Sequence, residues 1–385
     1  MTTESVCLEN RSVSLHEHGR NYGVDLLRIL SMIMIVTLHV LRQGGILEVL
    51  DTGTVKYFTA WTLESLSLCA VNIYALISGF VGVSSGSARF YKILSMWIQV
   101  EFYCIISTVI LYCTKTDTFD FAELINRLAP VSTNRYWYFT AYFIMFFFTP
   151  VFNKLLQSLH ERQMKYLFGI IFIFASLWPT VWQTDIMKLN NGYSFLWLSL
   201  LYLLGGCVRK LGLYKRVNKR LMVALYFILT LAGMVFMTAA EELDWPVIGN
   251  NLLSYYAFNI LVASVCLLLA SAKTKIKRQA PVNIIRALAP LTFGVYIIHT
   301  SEYVWDHVMK GAFGFFSSMS APVLVLAVIA TALAIYLACS LIEWLRMTLF
   351  KWLKVDPFTE WIEQKARNVL DQKIFKKEIG IYDGF

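Results

Sequence analysis

The chain has 385 residues, of which 57% are hydrophobic and only 15% charged, and its mean hydropathy is +0.58. The apolar residues come in blocks of about twenty, the length that a helix needs to cross ~30 Å of hydrocarbon, so the composition excludes an ordinary soluble domain. The net charge of +9 indicates contact with membrane surfaces rather than with nucleic acid, because the basic residues concentrate in short loops between the apolar blocks.

The apolar blocks predict an all-α fold, a polytopic bundle of about ten transmembrane helices. A membrane β-barrel would show shorter, alternating segments instead. The predicted spans are 24–41, 65–83, 93–113, 137–153, 166–182, 194–208, 221–238, 252–271, 290–304 and 321–345.

The spans divide the chain into three predicted parts. Residues 1–23 form an N-terminal segment, 24–345 the transmembrane domain and 346–385 a tail. The first span is expected to be retained, since residues 1–22 are polar and no cleavage site follows the first apolar block. An amphipathic stretch in the tail, Trp361 to Leu370, is expected to lie on the membrane surface.

The loops between the predicted spans alternate in charge. One set is basic: Arg89, Lys92; Lys154, Arg162, Lys165; Arg209, Lys210, Lys215, Arg216, Lys219, Arg220; Lys273, Lys275, Lys277, Arg278. The other set is acidic: Glu48, Asp51; Asp117, Asp120, Glu123; Asp185; Glu241, Glu242, Asp244; Glu302, Asp306. Basic loops face the cytoplasm, so both termini are predicted to be cytoplasmic, in agreement with an even number of spans.

Arg28 and His39 lie inside the first predicted helix, where hydrocarbon disfavours charge. Their spacing corresponds to three turns plus ~20°, so both side chains leave one helix face, about 16 Å apart in depth. An ionisable group within a membrane span marks a functional site by default. His39 is the candidate general base, since an imidazole can take a proton from a hydroxyl and return it near neutral pH.

Asp25 lies one turn before Arg28 and is expected to pair with it and orient the guanidinium. The alternative is an interfacial ion pair that only anchors the helix. Asp25 cannot reach His39, because ~21 Å of helix separates them. Any carboxylate that orients His39 must therefore come from another helix.

Two further groups are candidates on the later spans. His299, in the ninth span, is predicted to lie towards the same outer side as His39, and the alternative is a histidine that only bonds a neighbouring helix. Glu101, in the third span, is a candidate substrate-binding residue. Its other two open roles are to partner a core cation or to orient a histidine.

Aromatic residues mark the outer entrance of the fourth span, in the segment Asn134–Phe139. The default interpretation of Trp137 and Tyr138 is an interfacial aromatic belt. The alternative is substrate binding, by stacking on sugar rings.

Several segments, in order along nearly the whole chain, together resemble the acyltransferase-3 family of integral-membrane acyltransferases, whose hallmark is an Arg, ten residues and then a His. They are Gly23–Ser31 with Val36–His39, Ser78–Phe80, Tyr136–Tyr138 with Pro150, Leu204–Gly206, Phe293–His299 and Leu341–Glu343. The resemblance implies transfer of an acyl group, most often acetyl from acetyl-CoA, onto a hydroxyl of a cell-surface glycan or related carbohydrate.

The same resemblance implies a donor site at Arg89 and Lys92, where the family often has Arg-x-x-Arg. Lys92 keeps the charge but not the bidentate fork of an arginine. The expected partners are acyl-CoA, a glycan acceptor and the lipid bilayer of the plasma membrane. No metal is expected, because the seven cysteines stand singly without a metal-ligand spacing.

Two other classes of function remain open at this point. A secondary transporter would use Arg28, Glu101 and the histidines as a substrate or proton path, although paired interrupted helices, the usual pointer to such a site, are not found. A membrane-embedded binding or sensor domain would keep the scaffold without catalysis.

Overall fold

The computed structural model describes residues 20–84, 89–243 and 251–379, and in these ranges the regular structure is helical throughout. Most of the predicted N-terminal segment, Asp244 and the last six residues of the tail lie outside the described residues. The helices are α1 Tyr22–Leu41, α2 Val55–Gly82, α3 Phe90–Cys113, α4 Phe121–Arg127, α5 Trp137–Ser158, α6 Glu161–Trp182, α7 Phe195–Lys210, α8 Leu213–Arg216, α9 Lys219–Glu242, α10 Phe258–Lys273, α11 Gln279–His299, α12 Ala321–Trp352 and α13 Val355–Ile379.

Eight of the described helices are long and apolar enough to cross a membrane: α1, α2, α3, α5, α6, α9, α11 and α12. They confirm the predicted all-α membrane fold. Helices α7 and α10 occupy the other two predicted spans, but each has 16 residues, a length of about 24 Å. The count of ten crossings and the cytoplasmic position of both termini therefore stay predictions.

Several helix boundaries differ from the predicted ones. Helix α2 begins at Val55 rather than at residue 65, so Glu64 lies inside a helix and not in a loop. Helix α11 begins at Gln279 instead of 290 and ends at His299. Helix α12 continues to Trp352, past the predicted end of the transmembrane domain at 345.

The start of α1 is fixed by a side-chain cap. The Asn21 side chain accepts hydrogen bonds from the backbone N–H groups of Gly23 and Val24, at 3.0 and 3.2 Å. Its amide group donates to the carbonyl of Ala272 at the end of α10, at 2.8 Å. One asparagine therefore satisfies helix-end donors and joins α1 to α10.

The opposite end of α1 is held by the segment that follows α11. Gly311 donates to the carbonyl of Gln43 at 2.8 Å, and Phe313 donates to the carbonyl of Gly44 at 2.9 Å. These backbone bonds fix the ends of α1 and α11 next to each other, and this is the end at which the site lies.

Helix α2 is the central helix of the bundle. In the most apolar 18 residues of α2, 72% are buried inside the protein, against 28% in the peripheral α12. Helix α2 packs most extensively on α7 and α1. Two glycines permit the close approach of α2 and α7. A Cβ on Gly79 would overlap the Tyr202 carbonyl, and one on Gly205 would overlap the Leu76 carbonyl. Small residues at such crossings are typical of membrane helix pairs, which associate by close packing.

We expect Gly79→Ala to destabilise the protein by about 1–3 kcal/mol, since the added methyl group meets backbone that cannot rotate away. The melting temperature of the purified protein in detergent measures the effect. The matched control is Gly169→Ala in α6, where no heavy atom lies within 4 Å of an added Cβ. Equal melting temperatures for the two variants would contradict the assigned α2–α7 contact.

Candidate active site

The structure brings His39 and His299 together. His39 Nδ1 lies 2.8 Å from His299 Nε2, so the two predicted histidines form a hydrogen-bonded pair between α1 and α11. His299 is fully buried, whereas His39 is partly exposed to a cavity. Trp305 packs edge-on against the His39 ring, with 4.8 Å between ring centroids.

The hydrogen bonds of His299 determine which nitrogen of His39 is basic. His299 Nδ1 lies 2.6 Å from the Val295 carbonyl, which can only accept, so Nδ1 carries the proton. In a neutral His299 the Nε2 atom is then an acceptor, and His39 Nδ1 must donate to it. This assignment leaves the lone pair of a neutral His39 on Nε2. The group that orients His39 comes from another helix, as expected, but it is an imidazole and not a carboxylate.

A cavity of about 840 Å³ opens beside His39. Its wall contains Trp61, Trp137, Tyr193, Tyr255 and Trp305. Three of these rings form a cluster, with centroid distances of 4.5 Å from Trp137 to Tyr193 and 4.9 Å from Tyr193 to Tyr255. The predicted aromatic entrance residue Trp137 thus faces a large polar and aromatic cavity.

A second, narrow cavity of about 50 Å³ lies on the other side of His39. Met32, Ile35 and His39 line it from α1, and these positions continue the helix face on which Arg28 lies. Tyr138 also lines it, as does Tyr74, whose hydroxyl donates to the Arg28 carbonyl at 2.8 Å. The α1 face that carries His39 is therefore turned towards protein.

Arg28 and Asp25 form the predicted ion pair, with 3.3 Å between Arg28 Nη1 and Asp25 Oδ1. Asp25 also accepts from Arg20 Nε at 2.6 Å, a contact that the sequence did not predict. Asp25 is buried, and two cations hold it. These contacts agree with both predicted roles of Asp25, the orientation of Arg28 and the anchoring of the helix, and both stay predictions.

The C-terminal helix α13 docks beside Arg89 and Lys92, which are both exposed. Glu363 of α13 accepts from the backbone N–H of Tyr91 at 2.7 Å, in the first turn of α3. This backbone contact contributes to a pKa of Glu363 below its ordinary value, against the opposing effect of partial burial. A carboxylate of the chain itself thus sits at the helix start where the donor site is predicted.

Glu101 lines neither of the two cavities at His39. Its Oε1 atom is buried and has no hydrogen-bond partner among the described residues. The well-connected carboxylate of this region is instead Glu343 of α12. It accepts from Tyr103 at 2.8 Å and from Gln99 at 3.2 Å, and it pairs with Arg346. The substrate-binding role of Glu101 stays a prediction.

An ion-pair network lies at the end of the bundle where the large cavity opens. The buried Arg127 donates from Nε and Nη2 to the two carboxylate oxygens of Glu302, both at 3.0 Å, and also pairs with Asp117. Arg135, which lines the large cavity, pairs with Glu302 and Glu123. The hydrogen bond from Arg127 lowers the pKa of Asp117, which favours the charged form of that carboxylate.

Sequence reasoning missed an ion pair in the wall of the large cavity. Glu64 on α2 is fully buried and pairs with Arg42, the residue that follows α1. Glu64 was overlooked because the predicted α2 began one residue after it. The available indication for Arg42 was an arginine directly after the first predicted span, three residues after His39.

No group of three or more His, Cys, Asp or Glu that could hold a metal ion occurs in residues 20–84, 89–243 and 251–379. The expectation that the reaction needs no metal is not tested by this geometry.

One of the comparisons with known proteins identifies the family of the chain. The model of the acyltransferase-3 family, described as an acyltransferase domain, matches residues 21–342. The chain therefore belongs to the acyltransferase-3 family, and it is a membrane acyltransferase by that assignment. Neither the curated proteins nor the solved structures contain a match.

We expect His299→Leu to lower the acyl-transfer rate about 10- to 100-fold, by analogy with the loss of partners that orient metal-bound histidines. Leucine cannot accept a hydrogen bond from His39 Nδ1, so the His39 tautomer is no longer fixed. The matched variant His299→Gln retains an amide oxygen that can accept and should retain more activity. Initial rates of acyl transfer measure the activity of both variants. Equal rates for His299→Leu and His299→Gln would contradict the assigned role of His299.

Proposed function

We propose that the protein is a membrane O-acyltransferase that moves an acyl group, acetyl in the simplest case, from acyl-CoA onto a hydroxyl of a cell-surface glycan or related carbohydrate. The observation that carries the proposal is the position of His39. Its side chain is oriented by His299 and lies between a narrow apolar cavity and a wide polar one. A group transfer between two different substrates requires such a meeting point.

His39 Nε2 is the general base in this mechanism. It takes the proton of the acceptor hydroxyl while the hydroxyl oxygen attacks the thioester carbonyl carbon. The carbon–sulfur bond then breaks, and the imidazolium returns the proton to the departing thiolate, which leaves as CoA–SH. General-base catalysis of this kind contributes roughly 10²–10⁴ in rate. The ester product and a neutral His39 complete the cycle.

The donor approaches along the face of α1 that carries Arg28, Met32 and Ile35. A pantetheine arm spans about half a membrane, in keeping with the ~16 Å of helix between Arg28 and His39. The narrow cavity of about 50 Å³ has room for only one or two waters. Donor entry therefore requires its lining side chains, such as Tyr74 and Phe293, to rotate.

The donor phosphates are proposed to meet Arg89 and Lys92 at the start of α3. Phosphate groups favour a helix N-terminus with nearby cations. Glu363 already contacts this helix start, so donor binding there would displace or share that contact.

The acceptor enters the large cavity, whose volume of about 840 Å³ accommodates one or two sugar rings. Trp137, Tyr193 and Tyr255 offer ring faces for stacking. With the predicted topology this cavity faces outward across the plasma membrane, which gives access to surface glycans.

We expect His39→Ala to reduce acyl transfer at least 100-fold at an unchanged protein level, because it removes the base. The assay follows CoA–SH release from acetyl-CoA by the reconstituted protein and incorporation of labelled acetyl into surface glycan in cells. The control is His160→Ala, an exposed histidine outside both cavities. Full acyl transfer by the His39 variant would overturn the mechanism, and labelled-sugar uptake without acetyl incorporation would favour a transporter.

A further inference from the structure

Glu64 is an unusual carboxylate for its surroundings. It is fully buried in the first half of α2, yet it forms part of the wall of the large cavity. Its Oε1 atom accepts from Arg42 Nε. Its Oε2 atom is buried and has no hydrogen-bond partner among the described residues. Buried acceptors are nearly always satisfied, so this oxygen needs a hydrogen-bond donor that the described side chains do not supply. A ligand in the cavity reaches it once the neighbouring side chains shift, because Glu64 itself has no exposed surface.

The position of Arg42 connects Glu64 to His39. Arg42 follows His39 by three residues at the end of α1, so the two side chains leave neighbouring positions one turn apart. The Arg42 side chain is 53% exposed and lies 5.8 Å from the Trp61 ring centroid. The arginine thus offers donors beside the acceptor oxygen of Glu64, and its backbone lies one helix turn after that of His39.

This pair supplies one acceptor and several donors next to an aromatic ring. A hydroxyl can donate to Glu64 and accept from Arg42 at the same time. A carboxylate on the ligand would instead meet the Glu64 oxygen with like charge. The described cavity wall contains two arginines and two glutamates, which cancel in charge. The chemistry fits a neutral polyhydroxylated ring.

We propose that Glu64, held by Arg42, binds the acceptor: its Oε2 atom accepts a hydrogen bond from a ring hydroxyl next to the one that His39 deprotonates. This assignment rests on the proposed function and names the class of acceptor, a neutral pyranoside rather than a uronic acid. Glu64 is a substrate-binding residue here, and it does not take part in breaking the thioester bond.

The test uses the full-length protein in detergent with methyl β-glucopyranoside, methyl β-galactopyranoside, the methyl glycoside of N-acetylglucosamine and methyl β-glucuronide. Saturable changes in tryptophan fluorescence measure binding without turnover. Thiol release from acetyl-CoA, with and without each glycoside, separates transfer from hydrolysis. In the wild type, at least one neutral glycoside should bind more tightly than the glucuronide.

In Glu64→Gln, the dissociation constant and the KM of that neutral glycoside should rise roughly 10- to 100-fold, the range expected for a lost hydrogen bond to a charged group. The KM of acetyl-CoA and the rate of its hydrolysis should stay within twofold. Glu161→Gln is the matched control, because Glu161 is an exposed glutamate that lines neither cavity. It should leave acceptor binding unchanged.

A second variant keeps the test decisive if Glu64→Gln does not fold. The double variant Arg42→Gln/Glu64→Gln removes both charges, so no buried charge is left without a partner. It should also lose acceptor binding. Equal glycoside binding by wild type and by whichever variant folds, or no saturable binding of any neutral glycoside, would overturn the assignment of Glu64.

The binding arm keeps this result separate from the proposed function. Glu64-dependent binding without any His39-dependent thiol release would reject the acyltransferase mechanism and retain the sugar site. Acyl transfer that depends on His39, together with glycoside binding that does not depend on Glu64, would retain the acyltransferase mechanism and reject the sugar site at Glu64. A parallel loss of hydrolysis and acceptor binding in a folded Glu64→Gln protein would reject a role limited to the acceptor.

Discussion

The interior of a membrane protein has to satisfy its polar groups with its own atoms, and the hydrogen bond between His39 and His299 is where this constraint shapes the site. The bond joins α1 to α11 at the end of the bundle where the loop after α1 is also held by backbone bonds to the segment after α11. His299 is saturated by His39 on one nitrogen and by Val295 on the other. Only Nε2 of His39 is left without a partner by this pair, so the fold determines which nitrogen would act as the base in the proposed mechanism.

The same constraint explains why buried carboxylates differ so much in this protein. Asp25 and Glu343 are surrounded by donors, since two arginines hold the first and Arg346, Tyr103 and Gln99 hold the second. The contacts of Glu343 join α12 to α3, whereas those of Asp25 stay within the start of α1. Glu64 has one oxygen in an ion pair and one without a partner, at a cavity wall. An acceptor that the fold leaves unsatisfied is more informative about function than a charge that the fold has neutralised.

The sequence predicts the all-α membrane fold and both histidines of the pair. The length of an apolar segment and the Arg28–His39 spacing are local properties that can be read without the fold. The pairing of His39 with His299 could not, since 260 residues separate them and either histidine alone is compatible with a simple interhelical bond. Glu64 was missed for a different reason. A membrane span is recognised from its mean hydropathy, which the apolar centre of the helix dominates. The more polar first turns of α2 are therefore predicted as part of a loop. The docking of α13 on α3 is also not predictable from the sequence, because the contacts that make it, from Tyr91 N–H to Glu363 and from Ser95 to Asp356 and Thr359, leave no periodic pattern.

The contrast between the two cavities has a consequence for how transfer competes with hydrolysis. Water can occupy the large, partly polar cavity and reach the same nitrogen as an acceptor hydroxyl, so the base alone gives no discrimination against it. Discrimination has to come from binding, through ring stacking and through polar contacts that hold the acceptor oxygen near His39 Nε2 for longer than a water molecule stays. In the proposed mechanism the narrow cavity limits the other side of the reaction, since its apolar lining, which includes Met32 and Ile35, would have to open for the thioester. The proposal therefore asks for a fixed geometry at the histidine pair and for side-chain movement along the donor path.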